Sequence, residues 1–462
     1  MGDGPWSGGD EGWRVMRRRR TARWRRAKVR RGHLPARARV AVVGALLLCT
    51  TAALPGGSAL AAGTPSPYAF APDARSVTGA AGTSDAAPLT PGATYRSSLP
   101  SDGRTYYSLE LDAVSDVYVS ATAIPAPGST VRAGDGIKVS VEDSDGRSCS
   151  SGTKTFGIVS TPRPIAAWGA REISVKRSRC ETAGTYYVIV ERVSTATSTP
   201  GTWDLELFAT SEPPLRQTGA TTAPEAWDSA SQAPLTGEAT RREGGSGFAA
   251  AESIGTGVWS SDIEPGRTLF YKVPLDWGRQ LYATAELGSS NSGAGNAGGA
   301  LNLSLYNPVH GFVDDASATY DGRQKTAELD PLPPVTYENR YAGPAPLSAM
   351  RFAGSYYLVV HLAAGVAEKF GEGPFRLTLR VRLEGAAQSG PAYAGAPEPR
   401  GVIEAGTGDW GAAAGGGAGS GAGGGGDAAM TVLAVSGIGT GTVVLVVLGV
   451  WTVVARRRAG AV

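Results

Sequence analysis

The 462-residue chain reads as mainly β: two tandem β-sandwich, jelly-roll-like domains, disordered linkers, and one C-terminal transmembrane helix. Three observations give this reading. Ala183-Gly184-Thr185-Tyr186-Tyr187-Val188-Ile189-Val190 returns as Ala353-Gly354-Ser355-Tyr356-Tyr357-Leu358-Val359-Val360, one of five collinear pairs offset by 163 to 172 residues. Short runs alternate apolar and polar residues between Gly, Pro, Asp and Ser clusters, and helical periodicity is almost absent. Finally, the chain opens basic-then-apolar and closes on an uncharged run followed by arginines.

Residues 1–61 form the first element. Positions 1–39 hold 13 Lys/Arg against three acidic residues, and Val40 to Leu54 is apolar and uncharged. Ala59-x-Ala61 then supplies small residues, so the segment reads as a signal peptide cleaved between Ala61 and Ala62. Residues 62–85 follow as a disordered lead-in.

The sandwiches are placed at 86–211 and 246–385. Besides the Tyr-Tyr stretch, Gly103-Arg104-Thr105-Tyr106-Tyr107 matches Gly266-Arg267-Thr268-Leu269-Phe270. Val117–Thr122 matches Leu281–Ala285, Ile137–Val141 matches Leu301–Leu305, and Gly201–Leu207 matches Gly373–Leu379. A period this long means duplicated domains rather than a solenoid. Ile137, Val139 and Val141 alternate with Lys138 and Ser140, and Leu301, Leu303 and Leu305 with Asn302 and Ser304. Period 2 puts one set in the core and the other in water. The Tyr-Tyr-Val-Ile-Val runs read as strands covered on both faces, with one tyrosine of each pair in the core. Regular short strands with turn signals predict a sandwich, and each copy is long enough to fold alone.

Residues 212–245 read as a Pro/Thr/Ser/Gly linker, in which Ala233-Pro234-Leu235-Thr236 repeats Ala87-Pro88-Leu89-Thr90. Residues 386–429 read as a tether; Gly411 to Gly426 contains only Gly, Ala and one Ser. Such a chain builds no core and spans about 35–40 Å as a coil. Met430 to Val454 gives 25 uncharged residues before Arg456-Arg457-Arg458. That is a single span, with residues 455–462 held in the cytoplasm and the sandwiches outside the cell membrane.

The resemblance is to the bacterial pre-peptidase C-terminal domain family. It rests on the Gly-x-Thr opening strand, the Asp143-Ser144-Asp145-Gly146 turn and Ala-Gly-Thr-Tyr-Tyr-Val-Ile-Val. Tyr271-Lys272-Val273-Pro274-Leu275-Asp276-Trp277-Gly278 is similar to segments of uncharacterised actinobacterial secreted proteins associated with von Willebrand factor A domains. The resemblance implies an accessory, non-catalytic module. The bias to Arg over Lys, with abundant Ala and Gly, also suits a GC-rich bacterial genome.

The net charge is +3, but the two ends carry the basic excess, leaving about −10 on the exported part. That disfavours nucleic acid as a partner. Cys149 and Cys180 are the two cysteines left after signal removal and are expected to form a disulfide in an oxidising compartment. Asp143 and Asp145 beside Gly146 are weak Ca²⁺ candidates; their spacing lacks the later ligands of an EF-hand, so a hairpin turn is the expected role. Asp314-Asp315 is read likewise. His310 and His361 are expected to be structural, because no Gly-x-Ser-x-Gly elbow, His-Glu-x-x-His or phosphate loop accompanies them. Trp277, with no counterpart in the first copy, is a weak binding candidate. No cofactor is called for. The expected activity is binding to an envelope or membrane protein, with wall glycan as the alternative ligand and a hydrolase as the remote one.

Overall fold

The computed structural model describes residues 68–405, except 102, 127, 159–160, 174–178 and 195–200, together with 411 and 413. The signal sequence with Ala61 and Ala62, the 430–454 span and residues 455–462 lie outside the described residues. Within them, no helix is long and apolar enough to cross a membrane.

The first copy contributes β1 (Arg75–Ser76), β2 (Ala87–Pro88), β3 (Thr94–Leu99), β4 (Arg104–Leu111), β5 (Asp116–Ile124), β6 (Gly136–Asp143), β7 (Ser148–Thr155), β8 (Ile165–Arg171), β9 (Gly184–Val193) and β10 (Trp203–Glu212). The second contributes β11 (Thr240–Arg241), β12 (Glu252–Ser253), β13 (Gly257–Ile263), β14 (Thr268–Leu275), β15 (Gln280–Leu287), β16 (Ala297–Tyr306), β17 (Phe312–Tyr320), β18 (Lys325–Glu328), β19 (Gly354–Leu362) and β20 (Phe375–Glu384). Two short helices, α1 (Ala345–Ala349) and α2 (Gly365–Phe370), flank β19.

Four five-stranded sheets result: β1-β3-β10-β5-β8 and β2-β4-β9-β6-β7 in the first sandwich, β11-β13-β20-β15-β18 and β12-β14-β19-β16-β17 in the second. Strand n of the first copy therefore corresponds to strand n + 10 of the second. The duplication extends through every strand, including the short parallel pairs β1–β3 and β11–β13. The Ala233-Pro234-Leu235-Thr236 echo takes no part in it. Glu252–Ser253 occupies the place of Ala87–Pro88, each parallel to the strand two positions on.

Alternation builds both cores as read. Ile137, Val139 and Val141 are buried in the first with Trp203 and Tyr186; Leu301, Leu303 and Leu305 in the second with Phe375 and Tyr356. The polar sets behave differently. Asn302 and Ser304, expected in water, are buried as well, and so is Glu206. The reason is a second packing layer. The outer face of the β5–β8–β10 sheet lies against the outer face of the β14–β16–β19 sheet, so every residue of β5 and β16 except Gly298 is buried.

Two apolar clusters form this seam. Ile124 and Ala166 meet Phe248, Phe270, Tyr306 and Val359 in one; Tyr118 and Ala170 meet Val309, Phe352 and Ile403 in the other. Each fully buried large side chain contributes about 1.5–3 kcal/mol. The expectation of two bodies on a flexible linker is thereby corrected: both sandwiches belong to one unit.

Segments read as unstructured pack on the sandwiches, two of them at the seam. The 62–85 lead-in is ordered from residue 68: Tyr68 Oη donates to Glu206 at 2.8 Å, the Ala71 amide donates to the same carboxylate at 2.9 Å, and the Ala69 amide reaches Ser246 O. The 212–245 linker lies on the β15–β20 face, where Gln280 donates to Asp228 O and Arg382 to Ala233 O. Of the 386–429 tether, residues 386–405 turn back: Ser211 and Glu398 exchange backbone hydrogen bonds, and Ile403 is buried. Composition concealed these roles. Their apolar residues are sparse, but each enters a gap between faces already built.

Candidate binding clefts at the seam

The longest departure from strand-for-strand symmetry builds the seam's charged centre. The connection between β8 and β9 runs from 172 to 183, whereas that between β18 and β19 runs from 329 to 353. The longer loop supplies Tyr337, Arg340, Tyr341 and α1, then Arg351 and Phe352.

Asp116 and Glu212 stand directly opposite each other at the ends of β5 and β10. Arg340 reaches across, 3.1 Å from Asp116 Oδ2 and 2.7 Å from Glu212 Oε1. Tyr118 Oη donates to Glu212 Oε2 and Tyr393 Oη to Glu212 Oε1, each at 2.7 Å, and the Ile173 amide donates to Asp116 Oδ1 at 2.6 Å. Beside them Arg351 pairs with Glu172 and lies over the Trp168 ring, 5.0 Å from its centroid. Burial, with Glu212 alongside, pushes Asp116 up to about 7 against the pull of Arg340. Tyr393 is likewise driven upward by burial and by Glu212.

Both histidines also lie in the seam. A tight turn from Asn307 to Gly311 holds His310 at φ 58°. Its ring stacks on Phe248, with centroids 4.0 Å apart, and packs near Phe208 of the first copy at 4.7 Å. His361 on β19 lies between two hydroxyls, Thr161 Oγ1 at 3.0 Å from Nε2 and Thr268 Oγ1 at 2.9 Å from Nδ1. Burial lowers both imidazoles to about 3, so they are neutral at ordinary pH. Among the described residues no carboxylate contacts either ring.

Two clefts open at the seam. One, of about 300 Å³, lies between Trp168, Phe312, Arg351, Glu172 and the Ser150–Thr153 stretch of β7. Trp168 is half-buried there because Gly311 packs on it; a Cβ at Gly311 would come within 2.8 Å of the indole. The other, of about 190 Å³, has Asp116 in its lining beneath Tyr337, Tyr341, Pro213 and Pro214.

The other sequence candidates lie away from these clefts. Cys149 and Cys180 are joined, with Cα atoms 5.7 Å apart, which fits an oxidising, extracellular compartment. Asp143 is occupied within its hairpin, accepting the Asp145 and Arg147 amides at 3.0 and 2.8 Å. Asp145 pairs with Arg147 on the surface. Asp315 pairs with Lys154 of the first copy at 3.1 Å. Trp277 is half-buried against the second core, with Gly390 close upon its indole. Of the other Trp and Tyr residues, Trp203, Trp259, Tyr186 and Tyr356 are core residues; Tyr357 is half-buried in the seam.

Sequence reasoning missed Asp116, Glu212 and Arg340. One signal pointed there: the offset between copies rises from 164 at Leu301 to 170 at Ala353, marking an insertion that contains Tyr337-Glu338-Asn339-Arg340-Tyr341.

No family model matches the chain, and no curated protein does. Among solved structures it is similar to the CBM22-1-CBM22-2 tandem of Paenibacillus barcinonensis Xyn10C, at 12% identity over 63% of this chain and 86% of that one, TM-score 0.17. It is also similar to the CUB1-EGF-CUB2 region of human MASP-1/3, at 9% identity over 63% and 98%, TM-score 0.16.

Proposed function

We propose that this protein is a membrane-anchored, non-catalytic accessory protein of the bacterial envelope, akin to duplicated pre-peptidase C-terminal-like domains, that acts by binding a protein partner. One observation carries the reading: the sandwiches are fused into a single body, so the clefts at their seam are walled by both copies. A catalytic reading needs a base within reach of a nucleophile and an orienting group. The histidines instead serve packing, and the carboxylates of the seam are engaged by arginines and tyrosines. The expected anchor at 430–454 would hold this body near the outer membrane surface, favouring a membrane-proximal protein over a distant polymer.

The Trp168 cleft favours a second reading, since a half-exposed indole beside serine and threonine hydroxyls suits a sugar ring. Crosslinking in native membranes, followed by capture from detergent extracts, tests the first. Recovery of a defined envelope protein, lost when Val114 or Trp168 at the cleft rims is replaced by Arg, is the expected result. Retention on insoluble glycan, abolished by Trp168→Ala, would transfer the function to carbohydrate. Hydrolysis of peptides or esters abolished by His361→Ala would overturn both.

A further inference from the structure

The two sandwiches meet through unlike faces, and one face is left over. The first offers its β5–β8–β10 side to the seam, the second its β14–β16–β19 side. A head-to-tail contact between duplicated units leaves an open face at each end. At the second copy that face is covered by the 212–245 segment, where Gln280 and Arg382 hold Asp228 and Ala233. At the first it is the outer side of β4, β9 and β6, along whose β4 margin the lead-in runs.

This outer side repeats the centre of the face that the second copy buries. Tyr106 stands opposite Ile189 as Phe270 stands opposite Val359. Ser140 stands opposite Ile189 as Ser304 does opposite Val359, and Tyr187 opposite Glu142 as Tyr357 opposite Tyr306. Tyr106 and Tyr187 are half-buried, and Ile189 and Ser140 are buried. The margins differ. Where the second copy has Thr268, Asn302, Tyr306 and His361, the first has Arg104, Lys138, Glu142 and Glu191. An aromatic centre inside a charged rim is the make-up of a protein–protein interface rather than of a permanent core.

The charges select the occupant. Arg104, Glu191 and Lys138 form one row across the strands, two cations with one carboxylate between them. Glu110 and Glu142 lie toward the other end of the same face. Arg104 pairs with Glu191 at 3.2 Å and Glu110 accepts from Thr185, while Lys138 and Glu142 stand outside both pairs. A partner of a single charge sign, an anionic lipid surface included, would satisfy one end and be repelled by the other. The face is instead complementary to itself. A two-fold axis running across the strands lays the basic end of one molecule on the acidic end of the next. Arg104 then meets Glu110, and Tyr187 meets Ile189, in both directions at once.

Five strands about 4.8 Å apart and four rows about 6.7 Å apart make roughly 600 Å² a side. The total of about 1,200 Å² lies at the low end for a specific pair. Anchoring both molecules in one membrane would raise their effective concentration and offset that modest area.

We propose that the outer face of β4, β9 and β6 pairs with the same face of a second copy of this chain, in an isologous two-fold dimer.

The test is sedimentation equilibrium of the full-length protein in density-matched detergent, over a concentration series. The wild type should pass from monomer to dimer as concentration rises. Tyr187→Arg, at the centre, should weaken the dimer at least tenfold. Arg104→Glu and Glu110→Lys change exposed rim residues, and each alone should weaken it at least tenfold by bringing like charges together. An equimolar mixture of these two variants should dimerise again, because the acidic face of one then meets the basic face of the other. Misfolding of a variant cannot produce that recovery.

A wild type that stays monomeric throughout, or a mixture that associates no better than its two components, would overturn the dimer. Self-association indifferent to all three variants would place it elsewhere in the chain and overturn it equally. If the wild type is monomeric and Tyr187→Arg loses a captured envelope protein, the face belongs to that protein. The dimer then falls while the binding reading stands.

Discussion

The two copies share ten strands in one order, yet they are secured differently. The first is stapled by Cys149–Cys180, which ties β7 to the segment before β9. The second has no such bond; the corresponding connection is lengthened and turned outward, and its Arg340 and Arg351 reach into the first copy. One copy spends its variable connection on internal stability, the other on joining the pair. A duplicated fold thus becomes a single body with clefts that neither copy holds alone.

The sharpest way to break this comparison is Arg340→Ala. It leaves Asp116 and Glu212 buried without their shared cation, and loss of one partner from a buried ion network costs about 3–5 kcal/mol. Urea unfolding should report that loss, with Arg340→Lys recovering part of it. Replacing the exposed Arg323 with Ala should change stability by less than about 0.5 kcal/mol.

Removing the disulfide by Cys149→Ser with Cys180→Ser comes next, at about 2–4 kcal/mol on the chain-entropy account for a separation of 31 residues. Because the copies are joined, the unfolding of β16 should shift with that of β6. A shift confined to the first copy would show the seam to be weak.

Acidity provides a third test. Asp116 titrates at about 7 in the fold and at about 3.9 when unfolded. Its folded value is raised, so its contribution to stability is full below about pH 4, fades as pH rises and is gone above about pH 7. The buried histidines act in the opposite sense, losing stability as pH falls below about 6.5. The difference between wild type and Asp116→Asn isolates the aspartate. The variant should be the more stable of the two at pH 8, relative to their values at pH 4. An unchanged difference across that range would remove Asp116 as a buried, proton-binding group.

The smallest expected effect is in the hairpin after β6. Asp145→Ala removes only a surface ion pair, worth about 0–1 kcal/mol. Asp143→Ala loses the carboxylate that accepts two turn amides, and thermal unfolding should find it the more damaging of the two.

The cores were legible because alternation is a local signal: Val139 and Leu303 declare their face through their neighbours. The disulfide was legible because two cysteines leave one pairing. The seam was not, because a residue such as Asn302, Ser304 or Glu206 looks solvent-facing until a second sheet covers it. Arg340 and Asp116 are 224 residues apart, and no periodicity links them. Tyr68 and Ile403 were hidden for a further reason, since single buried residues in Gly- and Pro-rich segments leave no pattern. Trp277 drew notice by lacking a counterpart, whereas Trp168, on β8, lines a cleft.

Hydrogen exchange across a urea series tests the central claim most directly, following core amides of β6 and β16 in the same full-length sample. If the seam makes one body, both sets lose protection at one urea concentration, and Arg340→Ala moves both to lower urea. Two separate midpoints in the wild-type protein, with Arg340→Ala altering neither or only the second copy, would contradict it.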